Sequence, residues 1–212
     1  MQEYHRRARR TFESGAIALL LFLVLAPGAR ALGFDHALTP TDSGIWARSV
    51  TLDLEAGVVA IEVAGALWYG GESEPGRTYW RAIDATALSA ATAQAMKWSL
   101  GRKRPSQSAD SGLWFQGARY QSFPSGEVTL QASFVTPFIE RFAARNPALW
   151  ALELLPAFDA AARVKQGAHW QSDVLAGWLL GTGFGLWAGR RESPLFLQAL
   201  PHGVAVGIRA RW

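Results

Sequence analysis

Residues 171–189, QSDVLAGWLLGTGFGLWAG, place glycine at 177, 181, 185 and 189. A step of four returns each glycine to nearly the same side of an α-helix, so the four form one almost bare ridge. Each glycine in a water-exposed helix costs about 1 kcal/mol relative to alanine. A ridge of four therefore calls for a partner helix whose backbone comes close. This stretch sets the expectation of helix packed on helix.

Working outward, apolar residues recur at helical spacing over 148–164, 126–144, 78–100 and 52–69. Asn146-Pro147 separates two of these segments. Arg104-Pro105 stops another, and a polar, glycine-containing loop runs over 106–123. Gly70-Gly71 through Pro75-Gly76 breaks the first pair, and 33–49 reads as a loop with Pro40 and Asp42-Ser43-Gly44 as turn formers. In the tail, 201–212, Val204, Val206 and Ile208 alternate with small or polar residues, the pattern of a short strand. The expected fold class is all-α, a compact helical bundle with a short C-terminal strand.

The chain has 212 residues, half of them hydrophobic, enough for one sizeable core behind a short leader. The formal charge of +4 owes much to Arg6, Arg7, Arg9 and Arg10. Without them the body is close to neutral, which gives no footprint for nucleic acid. With no cysteine, disulfides, thiolate metal sites and cysteine nucleophiles are excluded. The arginines precede an apolar run over 15–26 and then the small-residue stretch Pro27-Gly28-Ala29-Arg30-Ala31. That order matches the charged, apolar and cleavage regions of a secretory signal, so 1–31 is expected to be an export signal or N-terminal membrane anchor, and 32–212 the working domain. The apolar run is shorter than the ~20 residues of a spanning helix. A mean hydropathy of +0.05 argues against a bundle of membrane spans.

Three separated segments carry groups suited to phosphate. Lys97 and Arg104 stand seven residues apart, two helical turns, so a continuing helix puts them on one face. On its own, a basic helix end is ordinarily solvated. In Phe123-Pro124-Ser125-Gly126-Glu127, Ser125 suits an N-cap and Gly126 leaves the backbone bare where a helix opens, which makes an anion cradle or simply a capped start. In the third segment Arg163 is followed by His169 and, four residues later, Asp173. A carboxylate one turn after a histidine can orient the imidazole and free its other nitrogen as nucleophile, although such pairs are more often structural.

Together, Lys97-x6-Arg104-Pro105, Pro124-Ser125-Gly126 and Arg163-x5-His169-x3-Asp173 resemble the signature of the type 2 phosphatidic acid phosphatase superfamily. That superfamily also holds bacterial class A acid phosphatases and vanadium haloperoxidases. The resemblance implies a metal-independent phosphatase without cofactor, acting on phosphomonoesters or diphosphates, lipid-linked ones included, at a membrane surface on the periplasmic side. It implies that Lys97, Arg104, Ser125, Gly126 and Arg163 bind phosphate. His169 would attack phosphorus to give a phosphohistidine, and Asp173 would orient it.

Two positions depart from the signature: Ala162 stands where the family has serine, and Glu127 where it has the histidine that protonates the leaving oxygen. Burial that raises its pKa would let Glu127 serve as the acid. An ionised Glu127 would instead repel a phosphate dianion and leave a member that binds without turnover. Loss of the motif histidine also counts against haloperoxidase chemistry. Trp114 and Phe115 in the 106–123 loop could form a lipid-accepting mouth or be simply anchored. His36 and His202, beside Asp35 and Pro201, carry no motif and are given no role.

Overall fold

Helix starts and stops in this chain follow local chemical cues, and those cues decide which way the candidate residues face. The computed structural model describes residues 33–191 and the backbone of 195–200 and 203–208. The leader, 1–31, and His202 lie outside the described residues. Helix α1 spans Arg48–Tyr69 and ends at Gly70, whose φ of 63° is left-handed. Its first turn has no cap from its neighbour Ala47; the carboxylate of Asp42 accepts from the Arg48 N–H instead, at 2.5 Å. Helix α2, Glu74–Leu100, begins four residues earlier than periodicity indicates, because the Ser73 hydroxyl accepts from the Gly76 N–H and Pro75 suits the first turn.

The end of α2 is decisive for the site. Gly101 adopts φ 47° and returns its N–H to the Lys97 carbonyl. A side chain there would meet the Gly117 backbone, so the turn is both left-handed and crowded. Beyond it Arg104 is in extended backbone ahead of a short 3-10 turn, Pro105–Gln107. The one-face argument for Lys97 and Arg104 is thereby corrected: Lys97 is on the helix, and Arg104 reaches the same region from outside it.

Helix α3 spans Gly126–Phe142; a 3-10 turn, Pro147–Glu153, replaces the start expected for the next helix, so α4 is confined to Leu154–Lys165. Helix α5 is Gln171–Gly189, the limits read from the glycine pattern. The tail forms two strands rather than one: β1, Leu195–Leu200, pairs antiparallel with β2, Gly203–Ile208.

The bundle is thus all-α in its body, and α3 against α5 is its tightest pair. A Cβ on Gly177 would overlap the Ser125 carbonyl, one on Gly181 the Thr129 carbonyl, and one on Gly185 would come within 2.5 Å of the Thr136 Cβ. The ridge seats on successive turns of α3. A core of Val58, Ala82, Phe134, Val135 and Ile139 fills the space among α1, α2 and α3, and Tyr79 and Phe138 pack against it. Phe123 and Ala176 form a second cluster near the start of α5, with Trp114 against them. Trp114 is therefore anchored, whereas Phe115 is 69% exposed.

Gly181→Ala must push α3 and α5 apart, and overpacking of this kind costs about 1–3 kcal/mol. Gly183, on the same helix with nothing near its missing Cβ, is the control. Gly183→Ala should gain about 0.5–1 kcal/mol from helix propensity. Denaturation of both variants checks the opposite signs.

Candidate active site

The ridge brings two helix starts together. Ser125, at the start of α3, donates its N–H to the Asp173 carbonyl in the first turn of α5, at 2.9 Å. Ser125 is fully buried, but its hydroxyl makes no cap, contrary to the N-cap expectation, and Ser125 Oγ has no hydrogen-bond partner among the described residues. The N-terminal amides of both helices, with Gly126 bare between Ser125 and Glu127, thus lie side by side. Their positive ends favour an anion.

His169 sits in the turn before α5 and is 3% exposed. Its Nδ1 donates to the Ser122 carbonyl at 2.6 Å. A carbonyl can only accept, so Nδ1 bears the proton and Nε2 keeps its lone pair. Asp173 Oδ2 lies 3.7 Å from Nδ1, too far for a hydrogen bond. The direct orienting partner is therefore Ser122, a residue the sequence did not single out. Asp173 works one step behind it, accepting from the Ser122 hydroxyl at 2.5 Å and from the Trp170 N–H at 2.8 Å. Burial pushes the His169 pKa down to about 4; the charges of Lys97 and Arg104 add to this, and Asp173 opposes it. Burial also acts to raise the Asp173 carboxyl, but the neighbouring His169 ring, Arg102 and Ser122 outweigh it and hold the group below its ordinary range.

Cations converge from three directions. Lys97 Nζ donates to the carbonyls of Gln121 at 2.9 Å and Pro124 at 2.7 Å, at the threshold of α3. Arg163, near the end of α4, is 4% exposed and donates to Gln166 at 2.6 Å. Arg104 feels Glu127, Asp173 and Arg48 as charged neighbours. Burial, then like charges nearby, lowers Lys97 to about 8. Burial likewise lowers Arg104 and Arg163, partly offset by the charge of Glu127. Cations crowded out of water in this way are stabilised by an anion placed among them. Among the described residues no group of three or more His, Asp or Glu side chains is arranged to hold a metal.

Glu127 Oε2 accepts from Arg48 at 2.6 Å and lies 3.5 Å from Arg163 Nε. Burial alone would raise its pKa, but Arg48 and Arg163, with His169 beyond them, pull it below the ordinary carboxylate value. Of the two readings open for Glu127, proton donor or ionised carboxylate, its place between two arginines favours the ionised one. Arg48, in the first turn of α1, had no motif to mark it. Behind this group Asp159 is fully buried with neither carboxylate oxygen hydrogen-bonded among the described residues. Burial first, then Glu127, pushes it up to about 7.

The structure therefore gathers Lys97, Arg104, Ser125, Gly126, Glu127, Arg163, His169 and Asp173 into one region. Sequence reading missed Arg102, Ser122, Arg48 and Asp35. Arg102 is 1% exposed and donates to Asp173 at 2.5 Å, Ser172 at 2.7 Å and Asp35 at 2.6 Å. Its place between Gly101 and Arg104 was the one available signal. Ala162 is fully buried, so a side chain at that position faces the interior.

A family model, that of the PAP2 superfamily, matches residues 78–192. Lipid A 1-phosphatase of Rhizobium etli is 35% identical over 99 residues, 44% of this chain and 41% of that protein. Lipid A 1-phosphatase of Rhizobium johnstonii is 34% identical over 99 residues, 44% of this chain and 39% of that protein. The match spans about two fifths of the length of these curated relatives. No solved structure matches the chain.

His169 should stay neutral until the pH reaches about 4, well below its ordinary 6.5. Between these values the unfolded chain takes up a proton that the folded chain refuses. Stability contributed through this residue is therefore lost as the pH drops from about 6.5 to about 4. An NMR titration of the His169 ring, with unfolding followed at pH 7 and pH 5, checks both the midpoint and the sign.

Proposed function

The chain belongs to the PAP2 superfamily, and from that membership together with the cradle around His169 we propose that it is a phosphatase acting on lipid-linked phosphate. The observation that carries the reading is a buried histidine with its Nδ1 proton fixed on Ser122 and its Nε2 free, set among Lys97, Arg104 and Arg163. In the first step the Nε2 lone pair forms a bond to phosphorus as the bond to the leaving oxygen breaks. The resulting phosphohistidine carries positive charge on its ring, which the Ser122 carbonyl and the Asp173 carboxylate stabilise. Water then attacks phosphorus, releasing inorganic phosphate and restoring His169. Lys97, Arg104 and Arg163 hold the phosphoryl oxygens, and the unpartnered Ser125 hydroxyl and the Gly126 amide complete the cradle.

Glu127 limits the substrate. Held ionised by Arg48 and Arg163, it has no proton to give at neutral pH. The leaving oxygen must depart as an anion, so a diphosphate or a sugar 1-phosphate is favoured over a simple alkyl phosphate. The relatives named lipid A 1-phosphatase support a lipid-borne substrate of this kind. A second reading rests on the same contact. If Glu127 keeps hold of Arg163 when phosphate arrives, the chain binds the anion and does not turn it over.

The same relatives and the leader support an exported protein working at the periplasmic face of a membrane. No described helix is long and apolar enough to cross one. Helix α1 instead exposes an apolar stripe of Leu52, Val59, Val63 and Leu67, followed by Trp68 at 85% exposure. On this reading the stripe rests on the lipid surface. Replacing Val59, Val63 and Leu67 with serine should cut co-sedimentation with phosphatidylglycerol-containing vesicles several-fold and leave hydrolysis of a soluble phosphate unchanged.

Phosphate release from p-nitrophenyl phosphate, a prenyl diphosphate and an alkyl phosphate tests the chemistry. The first two should be hydrolysed well and the third poorly. His169→Ala should lower turnover by at least about 10³-fold. Glu127→His, which supplies a proton donor, should raise alkyl phosphate turnover by on the order of 10- to 100-fold. Activity appearing only in Glu127→His would establish the second reading, and unchanged activity in His169→Ala would end the first.

A further inference from the structure

Asp35 lies in the segment ahead of α1, outside the family-matched residues 78–192. Its side chain is nevertheless completely buried against Arg102, at 2.6 Å. One oxygen accepts from the Ser172 N–H at 2.9 Å, and the other from the Ser172 hydroxyl at 2.8 Å. Ser172 is the second residue of α5, and Trp170 at the cap position offers no side-chain acceptor. Asp35 therefore satisfies an open N–H of α5 from a point 137 residues earlier. Arg102 is stacked between Trp114, at 4.4 Å, and Trp170, at 5.5 Å, and its remaining donors go to the Ser111 carbonyl. One guanidinium thus joins two buried carboxylates, Asp35 and Asp173.

Burying three charges gains little stability over apolar packing, but removing one member leaves its partners uncompensated. What this arrangement supplies is geometry. The Arg102 fork fixes Asp173 Oδ1, which leaves Oδ2 for Ser122 and the Trp170 N–H on either side of His169. Without Asp35 the guanidinium loses a charged partner at Nη2, and only the Arg102 Nη1 bond to the Ser172 hydroxyl still ties it to the start of α5.

We propose that Asp35 is a positioning residue for His169, acting through Arg102 and Asp173, so that the segment ahead of α1 is a working part of the active site. The inference rests on the phosphatase reading only for its effect on rate. The placement of the imidazole can be read without turnover.

The test records the His169 Nδ1 proton by nitrogen-15 NMR in the full chain, in Asp35→Asn and in Arg102→Lys, with melting temperatures alongside. Asp35→Asn is isosteric, removes the charge and replaces one accepting oxygen with an NH2 donor. Arg102→Lys keeps the charge but not the fork. Gln171→Ala is the control. It cuts the other tie between the same segment and α5, the contacts of Gln171 with the backbone of His36, without touching Arg102. In Asp35→Asn and Arg102→Lys the hydrogen-bonded Nδ1 signal should broaden or vanish, whereas in Gln171→Ala it should persist. With p-nitrophenyl phosphate, kcat should fall about 10- to 100-fold in the first two variants with KM changed less than about 3-fold, and hold within about 2-fold in the control. An unaltered Nδ1 signal in folded Asp35→Asn and Arg102→Lys overturns the proposal. So does equal loss in Gln171→Ala, which would make the segment a mere strap. Loss of the signal in Asp35→Asn and Arg102→Lys, with a parent chain that shows it but hydrolyses nothing, would support the positioning and sink the phosphatase reading instead.

Discussion

The backbone-to-backbone seat of α5 on α3 is the contact on which the site depends. Gly177 meets the Ser125 carbonyl, and one turn away the Ser125 N–H bonds the Asp173 carbonyl. With any larger residue at 177 the two helix starts would separate. The cradle amides on α3 would then no longer face the histidine turn ahead of α5. The spacing of the two helix starts is set here by the absence of side chains, and glycine's unfavourable helix propensity is offset by what the close approach makes possible.

Charge follows from that geometry. Burying Lys97, Arg104 and Arg163 around one space depresses all three, and an anion placed among them offsets that effect. Glu127 supplies part of that offset from within the protein. Because it rests on Arg48 from α1 as well as on Arg163, its charge is tied to the wall of the site and not left free in the space. On the proposed reading, an arriving phosphate competes with Glu127 for Arg163 while Lys97 and Arg104 remain to receive it.

How much of this the sequence revealed depended on range. Helix α5 was legible to the residue because four glycines at one spacing leave few alternatives. The three motif segments were legible because each is local. Their assembly was less so. Lys97 and Arg104 look like one helix face until Gly101 turns left-handed between them. Ser125 has the identity of a cap, but tertiary packing buries its hydroxyl without a partner. The direction of the Glu127 pKa turned on Arg48, 79 residues away, and the footing of Asp173 on Asp35 and Arg102. No periodicity or motif encodes such pairings; they arise from which segments the bundle lays together.

The same glycine seat bears on how such a chain can diversify. A floor made of backbone against backbone transmits little of what happens to side chains elsewhere in the core. Exposed residues such as Phe115 in the 106–123 loop and the outer face of α1 can thus drift while the distance between His169 and Ser125 holds. On the proposed phosphatase reading, selectivity for one phosphorylated lipid over another can accordingly be rewritten at the rim without retuning the chemistry beneath. Divergent members of such a lineage would keep their reaction and exchange their clientele.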